Sequence, residues 1–241
     1  MRDMVNLMYH DIVTEDDKSS GFCHDGAYQY KVLKENFSEH LEQTAGDDVC
    51  WTFDDGGLSA LTETTPMLEA KGLKGLFFIA TKYIGTDGFL SEENIRELDR
   101  RGHVIGSHSH THPENLTQLS KEELQDEWQT SVDILERILG KKVTVASIPN
   151  GYDNKNVFET AYHAGIRTIY TSTPTNKEEQ KYDLIIRGRY VVDNRMTTAE
   201  MVGIIRDSSI RKRLYYRWCL LNGIKFFLGG YYEKIKAVFI K

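Results

Sequence analysis

Two clusters in this 241-residue chain carry groups able to do chemistry together. The first, Thr52-Phe53-Asp54-Asp55-Gly56-Gly57, follows directly on an apolar run. Adjacent carboxylates repel each other, so holding both at a strand end calls for a counter-charge. A divalent cation supplies one and leaves the second carboxylate free to act as a base. Taken alone, the pair also reads as a polar turn, since Asp-Gly is common turn chemistry. The second cluster, Gly106-Ser107-His108-Ser109-His110-Thr111-His112-Pro113, places three of the eight histidines within five residues. His108 and His112, four apart, can converge on one metal from a helical turn. His110 lies between them and points to a supporting or surface position. A solvated histidine-rich loop is the plain alternative, and the Asp pair upstream weighs against it. Two imidazoles and one carboxylate leave coordination positions open for water and substrate, as a catalytic metal requires. Zinc is the default for this donor set, with nickel, cobalt, manganese and iron also compatible.

Groups this far apart in sequence need a fold that gathers them. Short apolar runs alternate with helix-like stretches, which is the pattern of a parallel β/α fold. The strand candidates are Val5–Tyr9, Val49–Phe53, Leu76–Ala80, Val104–Ser107, Val143–Ile148, Arg167–Thr171 and Ile186–Val192. Between them, helices are expected over Leu58–Lys71, Ser91–Arg101, Ser120–Leu139 and Asn156–Ala164. Ser120-Lys-Glu-Glu is a capping box, and Leu124, Trp128, Val132, Leu135 and Leu139 share one face of the helix that follows. Seven strands with helices between them predict an α/β fold, a distorted (β/α) barrel that is not fully closed. In such barrels the chemistry sits at the C-terminal ends of the strands, where both clusters fall.

The same residues carry a family resemblance. Thr-Phe-Asp-Asp-Gly, followed by His108-Ser-x-x-His112-Pro113, resembles the polysaccharide deacetylase family with its NodB homology domain, carbohydrate esterase family 4. The likeness runs from about Val5 to about Val192 and implies a barrel of about seven strands. It implies Asp54 as catalytic base and Asp55, His108 and His112 as metal ligands. The family's Arg-x-Pro-x-Gly motif appears here as Ser147-Ile148-Pro149-Asn150-Gly151-Tyr152, without the Arg, and no histidine follows His163 to supply the late Leu-x-His motif. The branch that includes poly-N-acetylglucosamine deacetylases resembles this chain in both departures. It opens, as here, with Leu-Met-Tyr-His and carries a late Arg-Tyr-Val-Val strand. By that resemblance His10 is the general acid, Arg189 replaces the missing Arg beside Asp54, and Pro149, Asn150, Gly151 and Tyr152 contact substrate. A backbone N–H near Asn150 or Gly151 is the expected oxyanion donor. Tyr83, Phe89, Tyr152 and Tyr170 lie near expected loops, where they can stack on sugar rings or simply pack. The implied activity is metal-dependent removal of N-acetyl groups from an amino-sugar-containing polysaccharide or lipid-linked saccharide. An O-acetyl esterase and an inactive carbohydrate-binding domain are the alternatives.

Composition bounds the rest. Apolar residues at 40% and charged residues at 27% are ordinary for a globular enzyme. Cys23, Cys50 and Cys219 form no C-x-x-C pair, so free thiols in a reducing compartment are expected, with Cys50 in the core. From Ile205 onward nine Lys or Arg face two acids, a net +7 that leaves −13 on the remainder of a chain of −6 overall. The expected organisation is therefore a deacetylase domain over 1–204 and a basic, aromatic, helical tail over 205–241. That tail reads as a seat on an anionic membrane surface, with Trp218, Phe226, Phe227, Tyr231 and Tyr232 among cations. A helix on the acidic body or an oligomer contact are the other readings. Nucleic acid is disfavoured by the acidic body. With Met1 taken as the natural start, no signal peptide is visible, and the expected location is cytoplasmic, peripheral at the inner face of the membrane.

Overall fold

A strand buried at every position must be covered on both faces, as Gly75–Ile79 (Gly-Leu-Phe-Phe-Ile) and Val5–Tyr9, whose only polar residue is Asn6, both are. In the computed structural model, which describes residues 4–228, eleven strands and eight helices alternate along the chain. The strands are β1 (Val5–Tyr9), β2 (Asp11–Val13), β3 (Lys31–Leu33), β4 (Val49–Phe53), β5 (Gly75–Ile79), β6 (Val104–Ser107), β7 (Val145–Ser147), β8 (Thr168–Tyr170), β9 (Glu178–Lys181), β10 (Leu184–Arg187) and β11 (Tyr190–Val191). The helices are α1 (Asp25–Tyr28), α2 (Lys34–Gln43), α3 (Thr65–Ala70), α4 (Glu92–Arg100), α5 (Lys121–Leu139), α6 (Lys155–His163), α7 (Thr198–Arg206) and α8 (Ser208–Leu228). Nine strands form one curled sheet in the order β11-β1-β4-β5-β6-β7-β8-β10-β9. Every pairing in it is parallel except the β9–β10 hairpin. This is the expected distorted barrel.

All seven expected strands are present, but the last divides in two. β10 pairs with β8 and β11 pairs with β1, so one segment leaves one end of the sheet and joins the other. Gly188 marks the crossing. A Cβ there would stand 2.3 Å from Thr173 O, and the Gly188 carbonyl accepts from Asn6 Nδ2 at 2.9 Å. Strand β9 was not expected, because Glu-Glu-Gln-Lys is exposed along its length and lacks apolar alternation. The expected helix from Leu58 to Lys71 is interrupted. Pro66 in the first turn of α3 has no N–H, and a π-helical turn over Ala60–Thr64 precedes it. In α5 the capping box forms as expected, with Ser120 Oγ accepting from Glu123 N at 3.2 Å. Ile138, not Leu139, completes its buried face.

The sequence boundary at 204/205 falls within α7, whose Ile204 and Ile205 belong to the core. Helix α8 follows directly, and its Ile210 and Leu214 pack against the same core. Among the described residues, no helix is long and apolar enough to cross a membrane. Tyr231 and Tyr232 lie outside the described residues, as do the side chains of Phe226 and Phe227. Cys50 is half-buried in β4, while Cys23 and Cys219 are exposed, and all three are free thiols.

Candidate active site

The parallel sheet delivers the chemistry to one end of the barrel. His10 follows β1, Asp54 and Asp55 follow β4, His108 follows β6, and Asn150 lies just past β7. Tyr9 is in register with Phe53, and Asp54 N donates to Tyr9 O at 3.0 Å, which sets His10 beside the Asp pair. Reaching these positions bends the backbone. Among the described residues five non-glycines have positive φ, and Asp55 (74°), Ser109 (61°), His112 (55°) and Asn150 (56°) are four of them. Strain of this kind persists where surrounding contacts over-determine it. His108 and His112 thus converge from an irregular loop, not from the expected helical turn, because two left-handed residues break the helix between them.

One ligand atom each from Asp55, His108 and His112 falls within 4.8 Å of the others. His108 Nε2 and His112 Nε2 stand 3.4 and 3.3 Å from Asp55 Oδ1. That oxygen is buried and makes no hydrogen bond. A carboxylate oxygen faced by two nitrogens, buried yet unbonded, is a donor arrangement that a divalent cation satisfies. The donor set fits such an ion, with Asp55, His108 and His112 as the residues that would hold it. His108 is oriented from behind: its Nδ1 meets Ser147 Oγ at 2.6 Å and Ser147 O at 3.2 Å. Donation from Nδ1 to these oxygens leaves the Nε2 lone pair facing Asp55. Burial pushes the Asp55 carboxyl up, but His108 and His112 outweigh it and hold it well below the usual range. Burial pushes His112 down, and Asp55 more than reverses this, so His112 is raised.

A proton on His112 must leave before a cation binds. Metal uptake should therefore release protons to an extent that grows on acidification, and the affinity should fall with it. Calorimetry in two buffers of different ionisation enthalpy measures this release. A pH-independent affinity would contradict it.

The neighbouring carboxylate is held quite differently. Both Asp54 oxygens accept from Arg189, Nη1 to Oδ1 at 2.6 Å and Nη2 to Oδ2 at 2.8 Å. Arg189 has no exposed surface and Asp54 is 4% exposed. Arg189 also donates from Nη1 to Thr52 Oγ1 at 3.1 Å and from Nε to Thr171 O at 3.3 Å. Burial pushes the Asp54 carboxyl up, but the Arg189 guanidinium, with help from His108 and His10, leaves it below the ordinary value. Ser147 Oγ completes the link by donating to Asp54 Oδ1 at 3.3 Å.

Above these groups lies a cavity of about 370 Å³ bordered by His10, Asp54, Asp55, His108, His112 and Asn150. His10 stacks on Tyr30, with ring centroids 4.6 Å apart, and its buried Nδ1 has no hydrogen-bond partner. Of the Pro149–Tyr152 turn, Asn150 borders the cavity, Pro149 is buried, and Tyr152 is exposed. The Gly151 N–H donates to Ile148 O at 3.4 Å, within its own turn. Tyr170 is buried against Phe78, so it is no sugar platform. Tyr83 and Phe89 stack on each other at 5.1 Å and pack against Phe22, whose ring lies 5.1 Å from that of His112. His110 turns away, its Nδ1 3.0 Å from Thr81 Oγ1.

Sequence reasoning missed four contributors. Ser147 bridges His108 and Asp54, and Tyr30 carries His10. Phe22 backs His112. Glu127 of α5 accepts from His110 N, Thr111 N and Thr111 Oγ1 at 3.0, 2.9 and 2.6 Å, pinning the loop between the two imidazoles. The available signal for Glu127 was its position beside Trp128 on the buried face of α5, where an acid needs a partner.

Residues 42–169 match the family model described as Polysaccharide deacetylase. The match spans Asp54, Asp55, His108 and His112, and His10 and Arg189 lie outside it. The Bacillus subtilis protein YxkH is 28% identical over 179 residues, 70% of this chain and 64% of that protein. The peptidoglycan-N-acetylmuramic acid deacetylase PdaA, also of Bacillus subtilis, is 25% identical over 66% of this chain and 62% of its own length. The chain thus spans under two thirds of the length of both relatives. Among solved structures, a polysaccharide deacetylase from Bacillus cereus superposes with a TM-score of 0.70 at 20% identity, over 84% of this chain and 69% of that one. IcaB from Ammonifex degensii gives 0.66 at 19% identity, over 80% and 92%. These two share the fold, and the family model, which covers more than half of the sequence, goes further: the chain belongs to the polysaccharide deacetylase family.

Proposed function

We propose that the chain removes N-acetyl groups from an amino-sugar-containing glycan, either a polysaccharide or a lipid-linked saccharide, in a reaction that requires a divalent cation. The observation that carries this reading is the division between two adjacent carboxylates. Asp55 presents an unbonded oxygen to two imidazoles, while both oxygens of Asp54 are occupied by Arg189. The name of PdaA, an N-acetyl sugar deacetylase, supports the same chemistry.

Asp55, His108 and His112 would hold the cation, with zinc the best fit to the donors, and such an ion would supply Lewis acidity toward the acetyl carbonyl and a water of pKa lowered toward ~7. Asp54, kept ionised by Arg189, accepts the proton of the attacking water. Arg189 also fixes the carboxylate in one orientation, since a bidentate fork leaves it no rotation. The departing amine needs a proton, because an amide anion is too basic to leave. His10, which borders the same cavity from β1, is placed to deliver it.

His10→Ala is expected to slow amide substrates by about a hundredfold or more, and activated aryl acetates by far less, because a phenolate leaves unaided. Equal losses on the two substrates would remove the acid role. The unpartnered Nδ1 of His10 favours one second reading, an O-acetyl esterase, whose leaving alkoxide asks less of an acid. Turnover of matched N-acetyl and O-acetyl oligosaccharides separates the two. Faster hydrolysis of the O-acetyl member would overturn the primary proposal, and loss of N-deacetylation on chelation would support it.

A further inference from the structure

We propose that the exposed face of α8 seats the protein on an anionic lipid surface. Helix α8 runs 21 residues without a single Asp or Glu. Its inner side is accounted for: Ile210 and Leu214 pack on the core, and Arg211 Nη1 donates to Ile204 O at 2.8 Å and Ile205 O at 2.9 Å. Lys212, Arg213, Tyr216, Arg217 and Leu220 recur at three- and four-residue spacing on the opposite side, where with Ser209 they line one shallow hollow.

Two observations select the occupant. Tyr216 and Leu220 are 70% and 65% exposed, side by side one turn apart, and cations rim them. Lys212, Arg213 and Arg217 form no ion pair among the described residues, although the rest of the chain carries −13. The helix has therefore not used the acidic body as its counter-charge. A bilayer of anionic lipid meets both demands together, phosphates for the cations and an interfacial layer for tyrosine and leucine. The sequence extends the same character with Lys225, Lys234, Lys236 and Lys241.

The root of α8 also suits this role. Arg206, at the end of α7, binds Asp47 and Gln43 O just ahead of β4, at the N-terminal ends of the strands. The catalytic groups stand at the C-terminal ends, so docking through α8 leaves them accessible to glycan.

Co-sedimentation of the full chain with vesicles of phosphatidylcholine alone, or with phosphatidylglycerol added, tests the proposal. Binding is expected to the anionic vesicles only, and to fall with rising salt. Lys212→Glu/Arg213→Glu/Arg217→Glu should weaken it by about a hundredfold or more. Tyr216→Ala/Leu220→Ala should weaken it at unchanged charge, and both variants should keep wild-type turnover of a soluble oligosaccharide. Failure to pellet with anionic vesicles, equal binding to neutral ones, or indifference to charge reversal would overturn it. So would a dimer in sedimentation equilibrium that Tyr216→Ala/Leu220→Ala dissociates, since the occupant would then be a second copy.

Discussion

Asp54→Asn is expected to retain the cation and lose turnover by about a thousandfold or more. The amide keeps the size of the carboxyl and one acceptor oxygen for Arg189, but it cannot take a proton from water. General-base catalysis contributes roughly 10²–10⁴-fold in enzymes generally, which sets the scale. Asp55→Asn and His108→Ala should behave in the opposite way. Each removes a donor from the cluster around Asp55 Oδ1, so metal content should fall along with the rate. Metal analysis of each purified variant, paired with its rate on an N-acetyl oligosaccharide, separates the two patterns. Near wild-type turnover in Asp54→Asn would strip Asp54 of the base role. Loss of metal in that variant would make Asp54 a ligand and collapse the division of labour between the two carboxylates.

That division came from family likeness alone, because the residue types do not carry it. Asp54 and Asp55 are adjacent and chemically identical, and what distinguishes them is a guanidinium 135 residues away. The barrel itself was legible, because β1, β4, β5 and β6 are apolar runs with helices between them and show up in composition alone. The ligand residues were legible because three histidines in five positions are rare enough to notice. The seam was not. Ile186 to Val192 reads as one strand, and its division follows from sheet closure at Gly188, a tertiary event with no local signature. Arg189 itself was reached only through family likeness. Ser147, Tyr30 and Glu127 act through contacts spanning 16 or more residues, so no spacing rule picks them out. The tail was legible in its charge and not in its faces, since Arg211 looks like its neighbours until its donors are seen capping α7.

Arg189→Met should expose what the fork does for both stability and rate. Breaking one side of a buried ion pair typically costs about 3–5 kcal/mol, because the partner charge is left without compensation. The partner here is Asp54, which sits in the core at the end of β4 with Ser147 as its other side-chain donor. In the wild type the Asp54 carboxyl lies below its ordinary value, so its stabilising contribution is present above the unfolded carboxyl pKa of about 3.9 and is lost as pH falls. In Arg189→Met burial dominates, the carboxyl rises above that value, and the sign inverts. The ionised group then destabilises the fold at neutral pH, and acid relieves it. Denaturant unfolding of metal-free protein should therefore show a wild-type advantage of several kcal/mol near pH 7 that narrows toward pH ~4. Arg189→Met also stacks less well on Phe78, over which the guanidinium lies at 5.4 Å. A deficit equal at both pH values would assign the loss to that packing and not to the ion pair. Asp54→Leu/Arg189→Met separates the two causes again, since removing both charges should recover much of the stability while leaving turnover at zero. Recovery in the double variant would mean that the fork is retained for the carboxylate it orients, at a stability the fold could have reached without it.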